Sequence, residues 1–510
     1  MKRNILSILI ITFLFGCNLS DNQKIKQTSD FESKATYASD VPETILTPDI
    51  VNTEQLGELS FFDGMPSDET VNKVYDYLDF SRGVESFLTG VPAASLYAFV
   101  EGMKQAGMET YSMGINEQLL DARSLWLTPN TTVVYCIAEI NVKNGPTVME
   151  VPPGVLGPVD DAFFKWVTDV GFTGPDQGKG GKYLFLPPDY EGEIPEGYFV
   201  AKTSTYRNYV LMRAFVIEGD LEKTAEHVKA HWRLYPFAEA NNPREPHFVN
   251  LSGVKYNTIH ANDFNFYKEL NEVVQYEPAD AFNEELVGLW ASIGIKKGKE
   301  FSPDDRMKRI LTEAAAVGNA TARAISFRPR SKEPYFYADR QWYTAFVGGT
   351  YTFMHEGEMM LDYRTFMHYM ATGITPAMTR AAVGQGSAYL FTAHDKDGNY
   401  LNGSKTYKIT LPGPIPAKNF WSFVVYSGQH RSLLETDQKS AGVDSKNPDL
   451  KANEDGSYTV YFSPFAPEGK ESNWVQTLPN KSWNVILRLY GPLEPWMDKT
   501  WKPGDFEIID

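Results

Sequence analysis

Over residues 68–107 the apolar positions Val71, Val74, Tyr75, Leu78 and, further on, Leu96, Phe99, Val100 and Met103 recur at spacings of three and four. That is the period of an amphipathic helix. Asp68 suits an N-cap, and Gly90 with Pro92 is expected to divide the stretch into two helices. The pattern then changes. Residues 131–140 are β-branched and aromatic, and the segments 147–151, 182–186, 198–202 and 208–216 follow at short spacing between Gly and Pro, as a small antiparallel β-sandwich requires. Helical spacing returns from Asp220 to about Pro236 and continues in 262–274, 282–293 and 303–325. Beyond Arg328-Pro329-Arg330 the composition shifts again, and after about residue 375 strand signal dominates: 388–393, 406–411, 420–426, 457–462 and 484–490. Asp397-Gly398-Asn399 and Asp455-Gly456 are turns of the kind that close hairpins. No repeat of fixed period occurs. The order predicts an α+β chain: a helical lead with a small N-terminal β-sandwich (61–218), a helical domain (219–330) and a larger C-terminal β-sandwich (331–510).

The first residues change the picture of where such a chain works. Lys2 and Arg3 precede an apolar run from Ile5 to Phe15 that is shorter than the roughly 20 residues a bilayer span needs. This is the layout of a secretory signal, and Leu14-Phe15-Gly16-Cys17 resembles the lipobox of a bacterial lipoprotein. Residues 1–16 are therefore expected to be a signal peptide and Cys17 to be lipidated. Residues 17–60, polar in composition, would be a flexible tether. The expected location is the cell envelope, with the protein lipid-anchored on the periplasmic side or outer surface of a membrane, and the lipid as its membrane contact.

The other cysteine, Cys136, then has no disulfide partner, so the fold must be held by its core. With 510 residues, 42% of them hydrophobic and 14% aromatic, the chain has enough for two or three domains. A formal charge of −17 argues against nucleic acid as a partner.

Most local motifs read as structure. His227 and His231 share a helix face at zinc-like spacing, but Val228 stands where a zincin would have its Glu and no third ligand is identifiable, so no metal is expected. Asp395, Asp397 and Asn399 mimic the start of a calcium loop, yet Thr406 occupies the position of its bidentate Glu, which favours a hairpin turn. Gly178 to Lys182 leads into strand signal at Tyr183 rather than a helix and reads as a glycine-rich turn. There is no G-x-S-x-G elbow, Cys136 sits in an apolar strand, and no cofactor motif is present. The ligand-binding candidates are polar residues in aromatic company: Asn130, Tyr135, Tyr206, Arg213, His260, Arg340 and Trp342. Asn130 and Tyr135 are expected to meet the segment 340–342 in an interdomain cleft. Five positions apart, they would fall on opposite faces of a regular strand, so sharing a site requires a turn or bulge near Thr131.

Thr128-Pro129-Asn130-Thr131-Thr132-Val133-Val134-Tyr135, Gly145 through Pro153 and Gly174 through Tyr183 resemble the family called domain of unknown function 1254. Leu411-Pro412 through Pro416, Phe420-Trp421-Ser422, Asp455-Gly456-Ser457 and Arg488-Leu489-Tyr490-Gly491-Pro492 resemble its companion, domain of unknown function 1214. The resemblance implies an immunoglobulin-like N-terminal sandwich, a helical domain and a C-terminal jelly roll, and leaves the activity open. The commoner form of the first family has Asp where Thr132 stands, so a role resting on that carboxylate is not expected here. Three functions remain: a module binding a glycan, another polymer or a small anion in the cleft; an envelope enzyme using acid–base chemistry there; or a purely structural envelope protein.

Overall fold

The computed structural model describes residues 39–509; Cys17, the expected signal segment and residues 17–38 of the expected tether lie outside them. The tether expected to run to residue 60 ends earlier. Ile50–Thr53 (β1), Gly57–Phe62 (β2) and Met65–Pro66 (β3) form an antiparallel sheet. Its first turn is closed by Thr53, whose Oγ1 accepts from Leu56 N at 2.9 Å and donates to Gly57 O at 3.2 Å. This sheet belongs to a small compact unit ending at Lys73, and the rest of the chain forms a second, larger unit.

The helix α1 runs unbroken from Asp68 to Gln105, which corrects the expected division at Gly90 and Pro92. Pro92 has no N–H to offer the carbonyl four residues back, and in most helices that loss forces a break. Here Leu88 O instead accepts from Thr365 Oγ1 at 3.2 Å, and the absent Cβ of Gly90 admits the Leu270 side chain. Although α1 is long and apolar enough to resemble a membrane span, its most apolar stretch is largely buried.

In the larger unit the chain continues through Ser112–Ile115 (β4), Val134–Asn141 (β5), Thr147–Val151 (β6), Val155–Asp161 (β7), Trp166–Gly171 (β8), Gly181–Leu186 (β9), Phe199–Lys202 (β10) and Arg207–Ala214 (β11). Helix α2 spans Leu221–His231, capped by Asp220, whose side chain accepts from Lys223 N. It stops short of the expected Pro236, because Arg233–Pro236 (β12) pairs antiparallel with β6. His247–Asn250 (β13) likewise joins β4, so the span 219–330, expected to be a helical domain, gives one strand to each N-terminal sheet.

Those sheets have orders β10-β9-β6-β12 and β13-β4-β5-β11-β7-β8. Val134, Cys136 and Ala138 on one face of β5 pack with Met149, Tyr183 and Phe185 of the opposite sheet. Tyr135 and Ile137, on the other face, join a second core with Phe99 and Met103 of α1. A strand buried on both faces loses its polar alternation, which explains the continuous apolar run from Val133.

Helices α3 (Asn265–Tyr276), α4 (Glu284–Ser292) and α5 (Asp305–Phe327) follow close to their expected places, α5 capped by Asp304. A short hairpin, Met354–His355 (β14) and Glu358–Met359 (β15), precedes α6 (Leu361–Met370). The C-terminal strands are Ser387–Thr392 (β16), Tyr407–Leu411 (β17), Ala417–Ser427 (β18), Gly442–Asp444 (β19), Tyr458–Ser463 (β20), Trp474–Gln476 (β21), Trp483–Pro492 (β22) and Glu507–Ile508 (β23). They form sheets of order β16-β22-β18-β19 and β21-β20-β17-β23. Aromatic rings join the two, with Phe462 stacked on Trp483 at 5.3 Å and edge-on to Phe423 at 5.9 Å. Among the described residues, no sheet combines strands from before residue 219 with strands from after residue 331.

Candidate functional site

Strand pairing places two Tyr–Arg pairs on facing sheets. Arg213 on β11 lies directly opposite Tyr135 on β5, and Arg488 on β22 lies directly opposite Tyr389 on β16. On β22 the positions 485, 487 and 489 are apolar, and Leu487 is in register with Phe423 of the inter-sheet core; Ile486, Arg488 and Tyr490 fall on the alternate face. Both pairs, with Asn130, line a partly open chamber of roughly 70 Å³ whose remaining wall is mostly apolar and includes Trp126, Phe346 and Met367. A single water needs about 10–15 Å³ of such volume, so there is room for a few waters or one oxyanion-sized group. An adjoining cleft of roughly 720 Å³ shares Asn130 and Arg213 with the chamber and extends along Phe172, Phe215, Phe420 and Tyr490 to Arg380 and Lys418.

The segment before β5 closes the chamber. Thr128 adopts a positive φ of 47°, and the following bend brings Asn130 N within 2.9 Å of Tyr135 Oη, to which it donates. Asn130 Oδ1 accepts from Thr132 N at 3.1 Å and Oγ1 at 3.3 Å. The regular strand begins only at Val134, so this bend is the turn that lets two residues five apart share one site. The C-terminal sheet holds the bend in place: Tyr426 Oη donates to Pro129 O at 2.6 Å, and Arg488 Nη2 donates to Thr128 O at 2.8 Å and Tyr426 Oη at 2.7 Å.

Charge is unbalanced here. Arg488 is only 3% exposed, and its Nη1 has no hydrogen-bond partner among the described residues. The ionisable groups acting most strongly on Arg213 and Arg488 are tyrosines, not carboxylates. Asp169 feels Arg213 only as the weakest of several influences and is itself engaged by Thr375 Oγ1 at 2.7 Å and Trp166 Nε1 at 3.0 Å. Burial pushes the Tyr389 phenol up, but Arg213 and then Arg488 outweigh it and hold the group below its usual value. Burial raises Tyr135 and Tyr490 above the usual phenol value.

Three of the residues expected from sequence thus come together: Asn130, Tyr135 and Arg213. The other four lie elsewhere. Tyr206 donates its backbone N–H to Glu277 at 2.6 Å and has Lys143 over its ring at 5.8 Å. His260 is buried beside Phe266, with Nδ1 donating to Ala261 O at 2.8 Å, and burial lowers it to about 3. Arg340 pairs with Asp339 at 3.0 Å and donates to Pro503 O at 3.2 Å, and Trp342 is a core ring donating to Gly504 O at 2.9 Å. The expectation that the segment 340–342 meets Asn130 is corrected: that segment is tied to the C-terminal tail, and the second arginine of the chamber is Arg488. Arg488 and Tyr389 were missed as site residues, although an arginine inside the apolar run 483–490 is the signal that marks one of them.

The other motifs are structural. His227 Nε2 donates to Pro153 O at 3.0 Å and His231 Nδ1 to His227 O at 2.8 Å, and no metal-capable group of three side chains occurs among the described residues. Asp395 Oδ1 accepts from the amides of Asp397 and Asn399, closing a turn. In the glycine-rich turn the Asp176 carboxylate takes the amides of Gly171 and Gly180 and the Tyr183 hydroxyl, which leaves no cradle for an anion. Cys136 is buried and its thiol is pushed up by burial.

The chain carries two recognisable domains of undetermined activity, and the chamber lies where they meet. Residues 112–236 match the family described as Protein of unknown function (DUF1254), and residues 386–494 match Protein of unknown function (DUF1214). Asn130, Tyr135 and Arg213 come from the first, Tyr389 and Arg488 from the second. No curated protein matches the chain. Among solved structures it is similar to the VPA0106 protein of Vibrio parahaemolyticus, at 16% identity and a TM-score of 0.53, covering 85% of this chain and 100% of that one. That likeness shows a shared fold. An uncharacterised protein of Burkholderia cenocepacia aligns at 11% identity and a TM-score of 0.39, over 86% of this chain and 96% of that one.

Proposed function

We propose that the cleft binds a small anionic ligand whose charged group sits between Arg213 and Arg488. The observation that carries this reading is the Arg488 guanidinium, which is buried with Nη1 unpartnered and faces tyrosines instead of a carboxylate. Burying an uncompensated ion costs several kcal/mol, and an oxyanion entering the chamber offsets that cost with charge-assisted hydrogen bonds. A small anion is favoured over a neutral glycan because the chamber's strongest donors are cations. The test is a thermal-shift series with acetate, sulfate and phosphate against chloride at matched ionic strength. At least one oxyanion should raise the melting temperature saturably, and Arg213→Gln should abolish the effect; a response no different from chloride defeats the reading.

Acid–base catalysis in the same chamber is the second reading, favoured by Tyr389 because its phenol is held below the usual value by two guanidiniums. Product masses from a metabolite screen separate it from simple binding. We also read the N-terminal pair of sheets as immunoglobulin-like and the C-terminal pair as a jelly roll, supported by the largely antiparallel ladders in each. An envelope location with lipid on Cys17 rests on the sequence of residues 2–17; Cys17→Ser should move the protein from the membrane fraction to the soluble one, and unchanged partitioning would refute it.

A further inference from the structure

The chamber is too small for more than a head group, so the character of the remaining ligand must be sought in the adjoining cleft. There Phe172 and Phe215 are 56% and 43% exposed, with ring centroids 6.1 Å apart. The two rings together give the cleft lining an exposed aromatic pair. Phe172 is also deliberately seated: it lies directly over Gly178, where a Cβ would come within 2.6 Å of the ring. Gly178 itself has a φ of +77°, so the glycine-rich turn supplies both the bend and the clearance. Phe420, also in the cleft lining, stacks on Tyr490 at 3.9 Å and carries Lys446 Nζ over its ring at 4.2 Å. The arrangement runs from cations at depth, through rings, to Arg380 and Lys418 at the mouth.

We propose that the ligand is a single-tailed amphiphile: one oxyanion held by Arg213 and Arg488, and an apolar tail lying along Phe172 and Phe215. This inference rests on the anion-binding reading above and adds the chemical class of the ligand. The cleft's volume of roughly 720 Å³ lies within the ordinary range for small-molecule sites of about 300–1,000 Å³ and far exceeds the need of an inorganic ion.

The experiment is a calorimetric titration of the full chain with acetate, butyrate, hexanoate and octanoate, with octyl sulfate as an alternative head group and octanamide as the uncharged control. Affinity should rise about three- to fourfold per added methylene, and octanamide should bind at least tenfold more weakly than octanoate. Phe172→Ala, at an exposed position, should lower octanoate affinity more than acetate affinity, which a general loss of folding would not do. Tighter binding of octyl sulfate than of octanoate keeps the proposal and identifies the head group. If the carboxylates bind with no gain along the series, the tail assignment is overturned while anion binding stands. If no member binds, both fail. Octanamide binding as tightly as octanoate overturns the anionic head and leaves a purely apolar cleft.

Discussion

Replacing Arg488 by Met separates a binding residue from a structural one by the sign of two effects. The wild-type guanidinium is 3% exposed, donates to Thr128 O and Tyr426 Oη and leaves Nη1 unpartnered. Losing two hydrogen bonds to a charged group costs about 1.5–3 kcal/mol each. Removing an uncompensated buried ion and filling its volume with an apolar chain returns several kcal/mol. The two nearly cancel, so stability should change by about 2 kcal/mol or less, a shift of only a few degrees in melting temperature for a chain this long. Anion affinity, by contrast, should fall by about ten- to a hundredfold, because one or two charge-assisted bonds to the ligand vanish. Denaturant melts and calorimetry on the same preparation read both quantities. A variant destabilised by more than about 4 kcal/mol that still binds anions at wild-type affinity when folded would show that Arg488 merely ties the bend at Thr128 to the C-terminal sheet.

The remaining predictions concern titration and packing. Anion affinity should fall with rising pH as Tyr389 ionises below its ordinary value of 10.0, since its phenolate then competes for Arg213 and Arg488. Tyr389→Phe should remove that fall, and tyrosinate absorbance followed across the same range checks the assignment. Glu277 is 1% exposed and burial lifts it from 4.5 to about 7. Its favourable contribution is therefore complete below pH 4.5 and lost as pH rises through 7, a loss approaching ~3 kcal/mol. Glu277→Gln should flatten stability against pH over that window; an unchanged profile would mean that other groups dominate. Thr365→Val should cost about 1 kcal/mol in denaturant unfolding by leaving Leu88 O unpaired beside Pro92, and a neutral result would show that α1 tolerates the proline unaided.

Sequence periodicity located the long helices and most C-terminal strands because each has a continuous face to bury. It failed where partners come from elsewhere in the chain. Nothing local to Pro92 shows that Thr365 will occupy the carbonyl it frees, and nothing in Arg233–Pro236 shows that β6 awaits it. Strands Ser112–Ile115, Val155–Asp161 and Trp166–Gly171 were missed for the related reason that Gly114, Gly157 and Thr168-Asp169 interrupt their apolar pattern. At Gly157 the interruption is required, since a Cβ would strike the neighbouring backbone at 2.1 Å, and Gly171 at the end of its strand is required likewise, at 1.8 Å. The candidate site was half legible. Asn130, Tyr135 and Arg213 stand out as polar groups in an aromatic setting, whereas aromatic company misled at Trp342, whose indole is a core ring. Composition cannot distinguish a ring lining a cavity from one filling a core.

The bond from Arg488 to Thr128 joins residues 360 positions apart. At roughly 5–20 residues per second of synthesis, the half-chamber built by Tyr135 and Arg213 leaves the ribosome tens of seconds before the strand that completes it. β22 is also an inner strand, flanked by β16 and β18, so the C-terminal sheet cannot close until it arrives. Throughout that interval Tyr135 has its N-terminal neighbours Phe99 and Trp126 but lacks the wall that Tyr389 and Arg488 supply. A chain truncated before Trp483 would lack Arg488 and with it the bond that ties the bend at Thr128 to the C-terminal sheet.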